Sequence, residues 1–263
     1  MPELPDLEIF KENIPKRLSN KTLTGVTVFM PRKVNTPQIL LADVLRGAVL
    51  ESVEREGKEL YFCFDDNRRV SAHLMLNGEI SVAADEAALT RLPFKVFAFH
   101  FEREHLVFSD KGGLCSLKFM PPKSAVPDVF SPEFTMDYFQ KTVFAKKRMN
   151  IKMLLIDQKL LRGIGNAYAD EILWAAKISP RSFAGQIPQE ALERLYAAIG
   201  SVLRDAVASI RAIAPDIISG ELRDFLKVHN KRLQTTEDGQ PIRTEYINRK
   251  ITYFTPAQIE YLF

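Results

Sequence analysis

The spacing of apolar residues changes character once along this chain, and that change limits the folds open to it. From Leu23 to about Phe119, the runs KTLTGVTVFM, VLESVERE, ELYFCFDD, RRVSAHLML, KVFAFHFE and HLVFSD are short and rich in β-branched or aromatic residues. Turn-type residues separate them. This texture predicts an antiparallel, sandwich-like β domain. From about residue 135 to Val228 the apolar spacing is three and four, which predicts helices near 135–144, 149–161, 167–176, 188–210 and 219–228. Pro180, Pro188 and Pro215 punctuate them. Residues 3–19 carry Leu4, Leu7, Ile9, Ile14 and Leu18 among charges and read as an amphipathic helix starting just after Pro5. In the tail, TEDGQPI precedes TEYINRKITYF, and an Asp-Gly turn between polar and β-prone runs suggests a small hairpin.

The expected class is therefore α+β in two domains. Residues 1–125 form an N-terminal antiparallel β-sandwich with an N-terminal helix, and the proline-rich 126–134 form a linker. Residues 135–228 form a helical domain, and 229–263 a hairpin module. At 263 residues such a division leaves room for two cores.

Composition narrows the function classes. No stretch approaches eighteen uninterrupted apolar residues, so no membrane span is expected. Glu3, Asp6 and Glu8 stand where a secretory signal would carry basic residues, so a cytoplasmic protein is expected, nucleoid-associated in a bacterium. Cys63 and Cys115 are the only cysteines, which predicts reduced structural thiols and forbids a four-cysteine zinc site. Residues 1–140 carry 17 Lys and Arg against 20 Asp and Glu, whereas 141–263 carry 19 against 13. The basic second half suits a polyanion such as nucleic acid, and a solvated basic face equally.

The segment IDQKLLRGIGNAYADEILWAAKISP (156–180) is the most specific in the chain. Gly163 and Gly165 permit a sharp turn and a close backbone approach. Asn166 suits an N-cap, with Asp170 and Glu171 early in the next helix. A glycine turn feeding a helix N-terminus is a phosphate site in waiting, because free N–H groups and the positive dipole end face outward. A plain helix hairpin that binds nothing fits the same residues.

DQKLLRGIGNAYADEILWAAKISP closely resembles the helix–two-turn–helix motif of the Fpg/Nei DNA glycosylases, the formamidopyrimidine-DNA glycosylase and endonuclease VIII family. MPELPDLE resembles that family's N-terminus. REGKEL (55–60) is similar to its lysine-bearing segment, and HLMLNG (73–78) to its DNA-wedging turn. Four ordered segments span most of the chain. The resemblance implies a bifunctional DNA glycosylase and AP lyase acting on damaged double-stranded DNA, as a monomer and without a cofactor.

Removal of Met1 would expose Pro2 as a secondary amine, the nucleophile that forms a Schiff base with the sugar C1′. An unperturbed α-amino group titrates at about 7.7–8.0. The acid/base role carries to Glu3, and the lysine that contacts the flanking phosphate and assists elimination carries to Lys58. Asp6 stands where the family more often has Glu. By the same resemblance His73 touches the DNA backbone and Leu76, where Met is common, is a wedge. Lys95, Arg148, Lys152 and Asn166 would face phosphates.

Three departures stand out. Many family members end in a four-cysteine zinc finger, but this tail has no cysteine and only His229, which implies a zincless finger. INRKITYFTP resembles the finger's second strand: alignment on Thr252, Phe254 and Pro256 puts Lys250 at the family's DNA-contacting arginine, and one inserted residue puts Arg249 there. SDKGGLC (109–115) replaces a turn bearing paired arginines and a phenylalanine, which fill the void and touch the orphaned base. After RDFL (223–226) the longer loop that closes over 8-oxoguanine is missing. Oxidised pyrimidines, ring-opened purines and abasic sites all remain open as substrates. A catalytically silent damaged-DNA binding protein and a small-molecule enzyme with a helical appendage are the rival readings.

Overall fold

A computed structural model describes all 263 residues. They divide into two units: Met1–Lys123 with Ile210–Glu221, and Ser124–Ser209 with Leu222–Phe263.

The first unit begins with helix α1 (Leu4–Leu18), whose Leu7, Phe10, Ile14 and Leu18 are buried. Two four-stranded antiparallel sheets follow. One has the order β1 (Leu23–Val28), β6 (Lys95–Phe101), β7 (His105–Ser109), β5 (Glu79–Ala83); the other has the order β2 (Leu50–Glu56), β3 (Glu59–Phe64), β4 (Arg69–His73), β8 (Ser116–Phe119). The sandwich expected from the β texture is thus present. Its centre is aromatic. Phe62 on one sheet meets Phe99 and Phe108 of the other edge-to-face at 5.3 and 5.7 Å, and Phe97 stacks on Phe108 at 4.2 Å. Such pairs add about 0.5–1.5 kcal/mol each beyond the area they bury.

Two short helices interrupt the region that reads as purely β: α2 (Gln38–Leu45) and α3 (Glu86–Arg91). α3 starts at Asp85, whose carboxylate accepts from the Ala88 N–H at 2.7 Å. Their few turns carry too little periodicity to stand out among strands. Cys115 is buried, and burial pushes its thiol up to about 12. It is inert packing.

The second unit contains α4 (Met136–Ala145), α5 (Ile151–Ile156) and α6 (Asn166–Ala175). The long α7 (Gln189–Ile213) belongs to it through Ser209, and the chain from Ile210 rejoins the first unit. The expected helix over 219–228 is absent. The Glu171 carboxylate explains this, because it accepts the N–H groups of Lys227, Val228 and His229 at 3.0, 2.8 and 2.7 Å. Donors that a helix would pair internally are satisfied from outside, so the segment stays irregular.

The tail closes with the hairpin β9 (Arg243–Ile247) and β10 (Lys250–Phe254). Its two-residue turn is Asn248-Arg249, both with positive φ (46° and 63°). A turn that is left-handed at both central positions matches strand twist, and Asn is among the residues that tolerate it best. Asp238-Gly239, the pair expected to make the hairpin, forms a separate tight turn bridging Thr235 and Pro241.

Candidate active site and nucleic-acid interface

Glu3 is the N-cap of α1, and its N–H donates to Asp6 Oδ2 at 2.8 Å, the return half of a capping box. Both carboxylates are buried. Pro5 lies in the first helical turn, where its missing N–H breaks nothing. The chain end is therefore locked from Glu3 onward, and Asp6 is the side chain that fixes the Glu3 backbone. Pro2 is buried beside it, and the Met1 ammonium lies 2.8 Å from Glu221 Oε2.

Lys58 sits in the two-residue turn Gly57-Lys58 that joins β2 to β3, with Gly57 at φ +61°. That turn is tied to α1. Glu8 of α1 pairs with the buried Arg55 guanidinium, and Arg55 Nη1 donates to the Gly57 carbonyl at 2.8 Å. Arg55 lies within the REGKEL segment, yet its role escapes sequence reading because an arginine in an exposed-looking strand gives no sign of its partner.

His73 ends β4 opposite Glu59. Its Nδ1 accepts the Met75 N–H at 2.9 Å, which leaves Nε2 as the protonated nitrogen of the neutral ring. Burial, reinforced by Lys58 and Lys118 and opposed by Glu59, lowers the imidazole below its ordinary value. The neutral tautomer is the resting form. Beyond His73 the turn is tight: Met75 has φ +55°, the Gly78 N–H donates to Leu74 O at 2.9 Å, and Leu76 at the tip is 56% exposed.

The 110–115 loop is shaped by Asp110, which accepts N–H groups from Gly112, Leu114 and Cys115 at 2.8, 2.7 and 2.8 Å. Leu114 is its one large exposed apolar side chain. Next to this loop stands Phe94, whose carbonyl accepts the Asp110 N–H at 2.9 Å. Its φ is +53° and its ring is 56% exposed. A bulky aromatic held in the left-handed region, facing solvent, is strained for a reason other than packing. In the sequence it stands one residue before the KVFAFHFE run and draws no attention of its own.

In the helical unit, Gly163 has φ +114°, and Gln158 braces the glycine turn by accepting the Gly163 N–H and donating to Ile164 O, each at 2.9 Å. Gly165 is the N-cap of α6. Asn166, expected to be that cap, is the first helical residue, and its Nδ2 donates to Ile251 O in β10 at 2.9 Å.

Lys152 donates to the same carbonyl at 2.9 Å and to Thr252 Oγ1 at 2.7 Å, and pairs with Asp170 at 2.8 Å. It is fully buried, so it is not the surface phosphate contact that the resemblance implied. Lys95 is half-buried, and its ammonium donates to Leu89, Thr90 and Leu92 carbonyls at 3.2, 3.1 and 2.7 Å and closes the C-terminal end of α3. Arg148, Arg249 and Lys250 are exposed. The tail offers no cysteine for a metal. Polar contacts from Asp170, Lys152 and Asn166 tie β10 to the helices of this unit.

Residues 1–115 match the formamidopyrimidine-DNA glycosylase N-terminal domain, and residues 126–214 the formamidopyrimidine-DNA glycosylase H2TH domain. The chain belongs to the formamidopyrimidine-DNA glycosylase family. That is a family of base-excision repair DNA glycosylases. The chain is 31% identical to the formamidopyrimidine-DNA glycosylase of Exiguobacterium sibiricum over 98% of each sequence. It is 33% identical to that of Enterococcus faecalis over 97% of this chain and 96% of the relative. Lactococcus lactis Fpg in complex with DNA containing an oxidised pyrimidine superposes with a TM-score of 0.87 at 25% identity, covering 98% of this chain and all of that one. The complex of the same enzyme with abasic-site DNA gives the same TM-score at 24% identity. No helix is long and apolar enough to cross a membrane.

Proposed function

We propose that this member of the Fpg family is a bifunctional DNA glycosylase and AP lyase that excises damaged bases through the amine of Pro2. The observation that carries the reading is the locked amino terminus. Pro2 and Glu3 are buried at the head of α1, with the Glu3 N–H held by Asp6. A chain end normally frays; this one is positioned as a nucleophile and an acid must be.

With Met1 removed, the Pro2 nitrogen attacks C1′, the C1′–base bond breaks and the base departs with a proton. Glu3 protonates the sugar ring oxygen as the ring opens, which leaves a cationic iminium. The iminium acidifies the C2′ hydrogen. Its loss expels the 3′ phosphate, and hydrolysis then frees the enzyme. Lys58, on the turn that Arg55 and Glu8 hold against α1, steadies the flanking phosphate. His73 is set to donate from Nε2 to the DNA backbone.

Leu76, with Phe94 and Leu114 on neighbouring loops, would fill the gap left by the extruded nucleotide. Gly112 and Gly113 offer no side chain to read the orphaned base, which favours a relaxed choice of opposite base. Arg148, Asn166, the glycine turn and Arg249 or Lys250 would hold phosphates.

Borohydride trapping on oligonucleotides with abasic, ring-opened purine or oxidised pyrimidine sites tests this. Protein whose mass confirms loss of Met1 should form a covalent adduct with at least one of them. Pro2→Gly should lower trapping at least a hundredfold, and Glu3→Gln should abolish base release while DNA affinity stays within about threefold. Trapping by Pro2→Gly at the parent rate would show that another amine is the nucleophile.

A further inference from the structure

On the outer side of the first sheet, His100 and His105 face each other directly across the β6–β7 hairpin. Their Nδ1 atoms are 2.9 Å apart, with ring planes at 74°. Each remaining ring nitrogen has an orienting neighbour: His100 Nε2 lies 2.8 Å from Thr27 Oγ1, and His105 Nε2 lies 3.7 Å from Glu86 Oε1 in the first turn of α3. One donor atom from each of His100, His105 and Glu86 falls within 4.8 Å of the others. Three elements, β1, α3 and the hairpin, thus converge on two imidazole lone-pair positions. Neither histidine has a part in the proposed chemistry.

We propose that His100 and His105, supported by Glu86, form a binding site for one divalent transition ion of the Zn²⁺, Ni²⁺ or Cu²⁺ class. Two imidazoles select these borderline ions over Mg²⁺ and Ca²⁺, which prefer all-oxygen shells. Zinc–nitrogen bonds are about 2.0–2.1 Å, so two of them at a tetrahedral angle hold their nitrogens about 3.4 Å apart. The pair has to open by only about half an ångström, and as the metal enters, the proton shared between the rings is replaced by one on the outer nitrogen of the ring that carried it, so that both rings stay neutral and both Nδ1 lone pairs are free to bind. The outward arrangement, in which hydroxyl and carboxylate steady the non-ligating nitrogens, is the one that fixes ring orientation at metal sites. Glu86, with a side chain 79% exposed, is also able to swing in as a third, oxygen ligand. The site opens into a hollow of 620 Å³ whose rim adds Glu102 and Asp85 against Arg103, an acidic balance that favours a cation. The ion would cross-link α3 to the hairpin in a protein whose tail carries no cysteine for zinc.

Full-length protein stripped with chelator and titrated with ZnCl₂ against a chromophoric competitor tests the site. One equivalent should bind, and the thermal midpoint should rise with Zn²⁺ and not with Mg²⁺. His100→Gln, at a half-exposed position, should weaken binding at least tenfold, and Glu86→Gln should weaken it by a smaller factor. Both should leave borohydride trapping at the parent rate, so a failure here is separable from a failure of the Pro2 mechanism. Cys63→Ser controls for the half-buried thiol. Absence of stoichiometric binding, retention of parent affinity by His100→Gln, or loss of binding only in Cys63→Ser would each overturn the proposal.

Discussion

Asp170 divides its carboxylate among three parts of the helical unit. One oxygen pairs with the fully buried Lys152 at 2.8 Å; the other accepts the Tyr253 N–H at 3.0 Å and faces His229 Nδ1 at 2.7 Å. Three stretches of chain that share no local sequence signal meet at one side chain. Asp170→Asn should therefore deprive a buried ammonium of this counter-charge in a dry site, a change that typically costs about 3–5 kcal/mol. Urea unfolding should show a midpoint lowered accordingly, with hydrogen exchange of β10 accelerated first. A midpoint within experimental error of the parent would show that the ammonium finds water. The burial of Lys152 also shows what a lysine in a sequence leaves undecided. Composition cannot distinguish a lysine bound for solvent from one that closes a helix end, as Lys95 does, or pairs inside, as Lys152 does. What decides is the location of unsatisfied carbonyls and carboxylates far along the chain.

Single elements show where local chemistry is decisive and where it is not. The Leu76 turn is legible in HLMLNG because its geometry depends on one residue: a Cβ on Gly78 would fall 2.2 Å from Leu74 O. Gly78→Ala should distort the turn and reduce discrimination of lesion over undamaged DNA at least tenfold in binding assays. Leu76→Ala should lose part of that discrimination with the turn intact, and equal discrimination by Gly78→Ala and the parent would refute the wedge. The β6–β7 turn carries a different device. Glu104 is buried against Arg17 at the end of α1 and Lys21 just before β1. Burial alone would raise its carboxyl, but Lys21 and Arg17 outweigh it and hold it below the ordinary carboxylate value. A depressed carboxylate contributes stability that is complete above its unfolded value, about 4.3, and is lost as pH falls through the folded one. The thermal midpoint of Glu104→Gln should therefore lie below that of the parent at pH 7 and converge with it in that acid window. The sandwich and the long helices were readable from periodicity, whereas α2 and α3 were too short to impose one. The absent 219–228 helix had the right spacing and lost to an external carboxylate, Glu171.

For the whole molecule, the uneven charge of the sequence becomes a statement about binding. Residues 141–263 carry the excess of base, yet the structure divides it into two populations. Arg148 and Lys152 stand four residues apart, and the sequence resemblance implied a phosphate contact for both. Arg148 is exposed and Lys152 is sealed within the helical unit. DNA affinity should fall steeply with salt, because each neutralised phosphate releases counterions and adds about −0.9 to the slope of log K against log salt. Arg148→Gln should flatten that slope by roughly this amount and weaken lesion and undamaged duplex alike, with no effect on the urea midpoint. Lys152→Met should do the reverse, lowering the urea midpoint while any DNA complex it forms keeps the parent slope. If Lys152→Met flattened the slope and left stability unchanged, the ammonium would have to leave Asp170 for a phosphate on binding. The buried pair would then be a resting contact rather than the bolt that holds the hairpin.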